Sequence, residues 1–186
     1  LVQWLVMKHV LDAVQPEKLI FSGTGLREGL IYDRLPPATR QMDPLISGCR
    51  EIGREAGRFA TEKEFLNLAK WLLPLFPDAD AADIKTIQAA SLLSDVGWYE
   101  HEDHRPRHAY QRILNLPLYG LNHKRRAFLA LAVYVRHKGY LRKSQRNKFE
   151  ITEAAQKILK NDAIDRAVVL GLGMRLAYIL SGGALS

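Results

Sequence analysis

Apolar positions recur at helical spacing along most of the chain, and this pattern predicts a mainly α-helical protein. From Asp43 onward, apolar residues return every three or four positions in segments that are separated by Pro, Gly or Asn. Such spacing is typical of amphipathic helices that bury one face in a shared core. Helices are predicted over about residues 43–58, 61–73, 107–114, 122–138, 152–159 and 162–180, and one more begins at Asp80 or Asp83.

Residues 1–34 follow a different pattern, which predicts the closing unit of an α/β domain. Apolar spacing over 1–13 predicts a helix, the apolar run 18–22 predicts a short strand, and the segment 25–33 predicts a glycine-rich turn. Pro36 and Pro37 then predict a helix-free linker, because proline lacks an N–H and restricts the residue before it. The sequence therefore predicts two domains, residues 1–34 and residues 43–186.

The most apolar stretch, residues 167–185, carries Arg175 near its middle and is interrupted by glycines. A charge in the middle of a bilayer is costly, so we expect a buried core helix here and no membrane span.

The only cysteine, Cys49, excludes an internal disulfide and a cysteine-based zinc site, and it suits a reducing, cytoplasmic location. Both ends lack the features of natural termini, and the start lacks those of a signal peptide, so we expect a piece of a longer chain.

Lys and Arg outnumber Asp and Glu by 27 to 20, which gives the chain a net charge of +7. This excess favours anionic partners such as nucleic acid, phosphorylated metabolites or polyphosphate, although many basic proteins bind none of them. Cations in the first turn of a helix oppose its dipole, so the basic run 124–126 is expected to serve something outside its helix. The basic run 142–148 can equally be interpreted as surface charge that keeps the protein in solution.

One segment, residues 92–97, reads Leu-Leu-Ser-Asp-Val-Gly and ends an apolar helix in a polar pair and a glycine. With His in place of Ser94 it would resemble the centre of the HD metal-dependent phosphohydrolase fold, where adjacent His and Asp reach a divalent metal. Serine is a poor metal ligand, and Asp95 alone holds a divalent ion weakly. Glu64 also stands where HD proteins usually have their first histidine. We therefore expect a degenerate metal position at Ser94 and Asp95, with Asp95 acting as a capping or hydrogen-bonding residue.

The histidines that follow this segment leave three interpretations open. His101, His104, His108 and His137 are surface or structural groups, or they form a surviving weak metal site, or His108 and His137 contact phosphate together with nearby arginines.

Four stretches in the same order resemble the exopolyphosphatase / guanosine pentaphosphate phosphatase family. Residues 25–29 resemble its Gly-Leu-Arg-Glu-Gly segment, and residues 92–97 resemble its Leu-Leu-His-(Asp/Glu)-Ile-Gly segment. Residues 108–120 resemble its His-Ser-Tyr and Asn-x-x-Leu-Pro-Gly run, and residues 136–139 resemble its Arg-Tyr-His-Arg-Lys helix end. Together these stretches reach from the start of the chain to about residue 139.

The resemblance implies a mainly α, HD-like helical domain preceded by a short α/β remnant of an actin-like, sugar-kinase-type lobe. It places the hydrolysis of inorganic polyphosphate or guanosine pentaphosphate, and the divalent Mg that it uses, in an N-terminal pair of lobes upstream of this chain. We therefore expect no catalytic residue and no cofactor within the chain itself. The resemblance also implies a homodimer.

A polyphosphate partner requires a long track of basic residues, because each phosphate of the polymer is charged. The candidate polyanion-binding residues are Arg105, Arg107, His108, Lys124, Arg125, Arg126, Arg136, His137, Lys138, Arg142 and Lys143. Two other functions stay open: an independent metal-dependent HD phosphohydrolase, and a helical module that binds nucleic acid or protein. Nucleic acid is the less expected partner, because the sequence shows neither an aromatic-basic stacking pattern nor a DNA-reading motif.

Overall fold

The computed structural model describes residues 2–19, 25–57, 62–139 and 155–182, and within these ranges the chain forms helices and connections without any strand. The prediction of a mainly α protein is confirmed for this part of the chain. The chain divides into two compact units, Leu1–Arg40 and Gln41–Ser186.

The first unit contains α1 (Val2–Val14), α2 (Leu26–Arg34) and the short α3 (Pro37–Arg40). The predicted glycine-rich turn over 25–33 is wrong, because this segment forms α2. Gly25 lies at the N-terminal cap of α2, where its N–H donates to the Glu28 carboxylate at 2.7 Å. Glycine at this position begins a helix.

Most of the predicted strand 18–22 lies outside the described residues, and Lys18 and Leu19 belong to no regular element. The actin-like remnant stays a prediction.

The predicted helix-free linker after residue 34 is also wrong in part, because α3 forms there. Pro37 is the first residue of α3, where a missing N–H removes no helical hydrogen bond. The Pro36 carbonyl accepts from the N–H groups of Thr39 and Arg40 at 2.9 and 3.1 Å. Proline at a first helical turn therefore begins this helix, although the same residue would interrupt a longer one.

The second unit contains the helices that the sequence predicts from residue 43 onward. They are α4 (Pro44–Ala56), α5 (Glu62–Leu72) with a 3₁₀ turn at Leu73–Leu75, α6 (Ala81–Leu92), α7 (Arg105–Asn115), α8 (His123–Lys138) and α9 (Asn161–Leu180). The predicted caps form: Asp43 accepts from Leu45 and Ile46, and Asn122 accepts from Arg125. Asp80, rather than Asp83, caps α6. The predicted cap Thr61 and the start of the predicted helix 152–159 lie outside the described residues.

Helix α8 forms the centre of the second unit, because it packs against α6, α7 and α9. Its residues Leu129 to Arg136 are all buried. A helix that is buried on every side belongs in the core of a bundle. Gly171 allows α9 to approach α8 closely, since a Cβ atom there would lie 2.4 Å from the Ala132 carbonyl oxygen. Among the described helices, none is both long and apolar enough to cross a membrane.

Candidate functional site

The Ser94-Asp95 pair lies in the turns that follow α6, and both side chains are buried. Asp95 Oδ1 accepts a hydrogen bond from Nη2 of Arg136, at the C-terminal end of α8, over 2.5 Å. The side chains of this ion pair are only 2% and 7% exposed. The predicted hydrogen-bonding role of Asp95 is therefore visible as a buried ion pair between α8 and the end of α6.

The Ser94 hydroxyl makes two hydrogen-bond contacts. Its hydroxyl donates to the Ser91 carbonyl at 2.7 Å and lies 2.9 Å from the Tyr178 hydroxyl of α9. Burial raises the pKa of Tyr178, so its phenol keeps its proton and can take part in this contact. Ser94 therefore ties the end of α6 to α9 as a structural residue.

The residues at this position do not fit a divalent metal. The carboxylate of Asp95 already faces a guanidinium, and a metal there would place two cations side by side. Within the described ranges, no group of three His, Cys, Asp or Glu side chains is arranged to hold an ion. The positive charge beside the Asp95 carboxylate is that of Arg136.

His137 completes this cluster as a neutral side chain. Its Nε2 lies 2.9 Å from the Val96 carbonyl oxygen, which can only accept, so Nε2 carries the proton. Its Nδ1 accepts from Nη1 of Arg136 at 3.0 Å. Burial, with the neighbouring Arg136 guanidinium, lowers the pKa of His137 to about 3. At neutral pH the residue orients Arg136 and brings no charge of its own.

A cavity of about 280 Å³ opens beside this cluster, between the start of α7, the end of α8 and the end of α9. Its lining includes three guanidinium groups and two aromatic rings, and we call it the arginine cavity. The lining residues are Trp98, Arg105, Arg136, His137, Arg175, Tyr178, Ile179 and Gly182. Its lining as described contains three arginines and no acidic residue, whereas Asp83 and Asp162 are among the residues that line a second cavity.

Each of the three guanidinium groups is held in place by the protein. Arg105 donates to the Glu100 carbonyl through Nε and Nη2, at 3.2 and 3.0 Å, and lies 4.3 Å above the Trp98 ring. Arg136 lies 4.1 Å above the Tyr178 ring in addition to its bond to Asp95. Stacking and fixed hydrogen bonds restrict these long side chains, so little further freedom is lost when an anion binds them.

Arg175 of α9 caps the C-terminal end of α8. Its Nη1 donates to the carbonyl oxygens of Arg136 and His137 at 3.2 and 3.0 Å. The last carbonyls of a helix have no partner within the helix and carry partial negative charge, so a cation is favourable there. Gly139, with φ of +87°, lets the chain turn beside this guanidinium. Three guanidinium groups therefore line the arginine cavity, and one of them, that of Arg136, is paired with Asp95.

The other predicted basic residues lie elsewhere. Lys124, Arg125 and Arg126 begin α8, about 18 Å from Arg136 at a rise of 1.5 Å per residue. Arg126 donates to the carbonyls of Leu116 and Leu118 and thereby supports the loop before α8. Arg125 lies 3.6 Å from an Asp83 carboxylate oxygen. Two members of this run, Arg125 and Arg126, therefore contact other parts of the protein, and polyanion binding by the run stays a prediction.

The remaining candidates are exposed or lie outside the described residues. Arg107, His108 and Lys138 are exposed, and His108 lies 3.1 Å from a carboxylate oxygen of Glu100. Lys124 is exposed beside a second, mainly apolar cavity of about 240 Å³. Arg142 and Lys143 fall in the undescribed segment 140–154. The structure thus brings together Arg105, Arg136 and His137, and it places Lys124 and Arg125 at the opposite end of α8.

Five residues of the arginine cavity are absent from the sequence-based site: Trp98, Arg175, Tyr178, Ile179 and Gly182. Arg175 does carry a signal in the sequence, since it is the single charged residue of the apolar stretch 167–185 and such a charge needs a partner or a function. Nothing in the local sequence of the two aromatic residues connects them with Arg105 or Arg136.

Comparison with known proteins identifies the second unit. A family model described as the C-terminal region of exopolyphosphatase matches residues 63–185. This match covers two thirds of the chain, including every described residue of the arginine cavity. No curated protein matches the chain.

Proposed function

The chain belongs to the exopolyphosphatase C-terminal family, and from this premise we propose that it binds the polyanionic substrate of an exopolyphosphatase-type hydrolase. The substrate is inorganic polyphosphate or guanosine pentaphosphate, from which the enzyme removes the terminal phosphate. The observation that carries the proposal is the basic cavity, which Arg105, Arg136 and Arg175 line and beside which Arg136 pairs with Asp95.

In this proposal the chain contributes binding, and hydrolysis takes place in another part of the enzyme. The two side chains at the HD position are engaged in structural contacts, Asp95 with Arg136 and Ser94 with Tyr178. Mg²⁺ therefore belongs with the catalytic lobes and with the phosphate chain that they hold. We place the protein in the cytoplasm, where the buried Cys49 thiol would stay reduced.

Exposed cations extend the binding surface beyond the arginine cavity. Arg107 lies two residues after Arg105 on α7, and Lys138 ends α8 next to His137. Arginine and lysine bind phosphate oxygens by charge-assisted hydrogen bonds. A phosphate chain longer than the cavity would extend over the surface to exposed cations of this kind. Arg126 supports the loop before α8.

The test is titration of the 186-residue chain with long-chain polyphosphate at several KCl concentrations. We expect binding at low salt that weakens steeply as salt rises, because exposed charge pairs are screened. The paired substitution Arg107→Gln with Lys138→Gln should weaken binding at least tenfold. Lys8→Gln, which removes one exposed cation from the first unit, should change it less than twofold. Absence of binding at low salt contradicts the proposal.

Competition with duplex and single-stranded DNA of equal total charge distinguishes polyphosphate from nucleic acid. Stronger displacement by polyphosphate than by either DNA is the expected result. Equal displacement would favour the alternative of a helical nucleic-acid-binding module.

We also propose that the chain forms homodimers through an apolar surface on α5 and α9. Trp71, Leu75 and Leu176 are 42%, 45% and 47% exposed, and Gly173 of α9 lies against the first two. Exposed apolar side chains that lie together are typical of association surfaces. Light scattering after size exclusion should show a dimer that Leu176→Asp converts to a monomer, while Leu66→Asp on the same unit serves as a control for solubility.

A further inference from the structure

We propose that three exposed histidines at the entry to α7 link polyphosphate binding at the neighbouring arginine cavity to the uptake of protons, so that binding strengthens as the pH falls. The histidines are His101, His104 and His108, and we call them the histidine row. The proposal rests on the polyanion-binding function above and adds how that function is regulated.

The histidine row forms one continuous exposed surface. His104 is the N-terminal cap residue of α7, and His108 follows one turn later. Their rings stack with a centroid distance of 5.9 Å and an interplanar angle of 20°, and the His101 ring lies 6.0 Å from that of His104. All three residues are exposed to solvent. Histidine is the side chain that ordinarily changes charge between pH 5 and 8, so this small surface gains up to three positive charges on acidification.

The charge of the surrounding segment changes sign with these protons. Residues 100–108 contain the three carboxylates of Glu100, Glu102 and Asp103, the two guanidinium groups of Arg105 and Arg107, and the histidine row. With neutral imidazoles, two positive and three negative groups give the segment a net charge of −1, and three added protons bring it to +2. The segment therefore repels a polyanion in the first state and attracts it in the second.

Two of these carboxylates are paired when the row gains its protons. A carboxylate oxygen of Glu100 lies 3.1 Å from Nδ1 of His108, and one of Asp103 lies 3.6 Å from Nδ1 of His101. A protonated imidazole donates to such an oxygen through a charge-assisted hydrogen bond. Each carboxylate then has a cation beside it and repels a bound phosphate less.

Glu100 connects the histidine row with the arginine cavity. Its carbonyl oxygen accepts from Nε and Nη2 of Arg105, which lines the cavity, while its carboxylate contacts His108. Arg105 and His108 are also three positions apart on α7, a spacing at which side chains are neighbours. Screening in 0.1 M salt extends over about 10 Å, so both charges act on the same bound anion.

The other charged side chains around the row and the cavity keep their charge state between about pH 7.5 and 5.5. They are Arg107 and Arg112 of α7, Arg136 with its partner Asp95, and Arg175 of α9. Guanidinium groups stay protonated in this range, and a carboxylate paired with one stays ionised. Burial, with the neighbouring Arg136, lowers the pKa of His137 to about 3, so this imidazole remains neutral. Among the described residues, the protons are therefore expected to come to the histidine row.

The experiment is a titration of the 186-residue chain with long-chain polyphosphate at about pH 7.5, 6.5 and 5.5 and at constant low ionic strength. We expect the affinity to rise about tenfold or more from the highest to the lowest pH, since up to three cations appear beside the bound anion. Calorimetry at pH 6.5 in two buffers of different ionisation enthalpy should show net proton uptake on binding, as linkage requires. Circular dichroism at each pH verifies that the protein is folded.

NMR locates the protons that are taken up. If protons strengthen polyphosphate binding, bound polyphosphate must strengthen proton binding by the same factor. The imidazole resonances of the histidine row should therefore titrate at higher pH when polyphosphate is bound. His9, which is exposed on α1 in the first unit, provides the internal comparison and should titrate alike with and without the polymer.

Substitutions test the assignment to the histidine row. The triple change of His101, His104 and His108 to Gln should reduce the dependence of affinity on pH to less than threefold. The same three positions changed to Lys should give, at pH 7.5, about the affinity that the wild type has at pH 5.5, because lysine is charged at both. His9→Gln is the control and should keep the wild-type dependence. An unchanged pH dependence in the folded triple Gln variant would overturn the proposal.

The remaining outcomes separate the two proposals. Binding of long polyphosphate that is equally strong at all three pH values would support the proposed function and overturn proton linkage. Absence of binding at every pH would contradict the proposed function and, with it, the linkage. Proton uptake on binding together with a shift in the titration of the row supports both.

Discussion

Asp95 and Arg136 lie 41 residues apart in the chain and form a buried ion pair with Oδ1 and Nη2 separated by 2.5 Å. This pair joins the turns after α6 to the end of α8, and its Arg136 lines the arginine cavity. A buried charge is tolerated because its partner is present, so the two residues should depend on each other energetically.

A double-mutant cycle measures this dependence. Arg136→Met and Asp95→Asn should each lower the free energy of unfolding by about 3–5 kcal/mol, because each leaves an unmatched polar or charged group buried. The double variant should lose clearly less than the sum of the two. Urea denaturation followed by circular dichroism gives the three values. The exposed pair of Arg166 and Asp78 is the control, and its coupling energy should be several-fold smaller. Additive effects at Asp95 and Arg136 would show that the pair does not act as a unit.

His137 should make stability depend on pH between about 6.5 and 3. The folded protein keeps this imidazole neutral down to about pH 3, whereas in the unfolded chain it binds a proton below its ordinary pKa of 6.5. The unfolded state then holds one more proton, so stability falls as the pH falls through this window. From pH 7 to pH 5 the loss attributable to His137 is about 2 kcal/mol.

The comparison of wild type with His137→Gln isolates this effect. Glutamine keeps a donor for the Val96 carbonyl and does not titrate, so the variant should lose less stability than the wild type between pH 7 and pH 5. Urea unfolding at both pH values is the measurement. Carboxylates with lowered pKa values, such as Asp43, titrate further down and affect both proteins alike. The same pH dependence in both proteins would be the contrary result.

Gly171 should be irreplaceable at the contact between α8 and α9. A Cβ atom there would lie 2.4 Å from the Ala132 carbonyl oxygen and 2.6 Å from Val135 Cβ, so Gly171→Ala should destabilise the fold by about 1–3 kcal/mol. Gly48 of α4 is the matched control, because its nearest neighbour to a Cβ atom is Leu118 at 3.6 Å. Gly48→Ala should be neutral or stabilise by up to about 1 kcal/mol, from helix propensity alone. Thermal unfolding that ranks the two variants in the opposite order would contradict this packing.

Cys49 should be inert in the folded protein. Its side chain is fully buried in α4, and burial raises the pKa of the thiol to about 12, so almost no thiolate is present at neutral pH. An aromatic disulfide reagent should modify less than a tenth of the protein in native buffer and all of it in denaturant. Fast labelling under native conditions would show that α4 opens more readily than its burial indicates.

Most of the helices in the second unit could be predicted because their signals are local. Asp43 and Asn122 cap α4 and α8 as their side-chain chemistry requires, and proline marks the start of α4. The wrong predictions concern the first unit, where Gly25 and Pro37 begin helices rather than a turn and a helix-free linker. Glycine and proline have opposite effects inside a helix and at its first turn, and the pattern alone did not fix which position they occupy.

In the candidate site, too, local sequence predicts some features and tertiary packing decides the others. The sequence determined that the chain is helical, that its charge is basic, that Ser94 cannot act as the histidine of an HD site, and that the region resembles an exopolyphosphatase C-terminal region. Only the tertiary structure decided which cations face one another: Arg136 pairs with Asp95, Arg175 joins it from α9, and Arg126 turns to a loop. The physical reason is the separation along the chain between the residues that interact. Caps and helical periodicity depend on residues within four positions, whereas the arginine cavity depends on contacts between residues about 40 or more positions apart, which only the packing of α8 and α9 brings together.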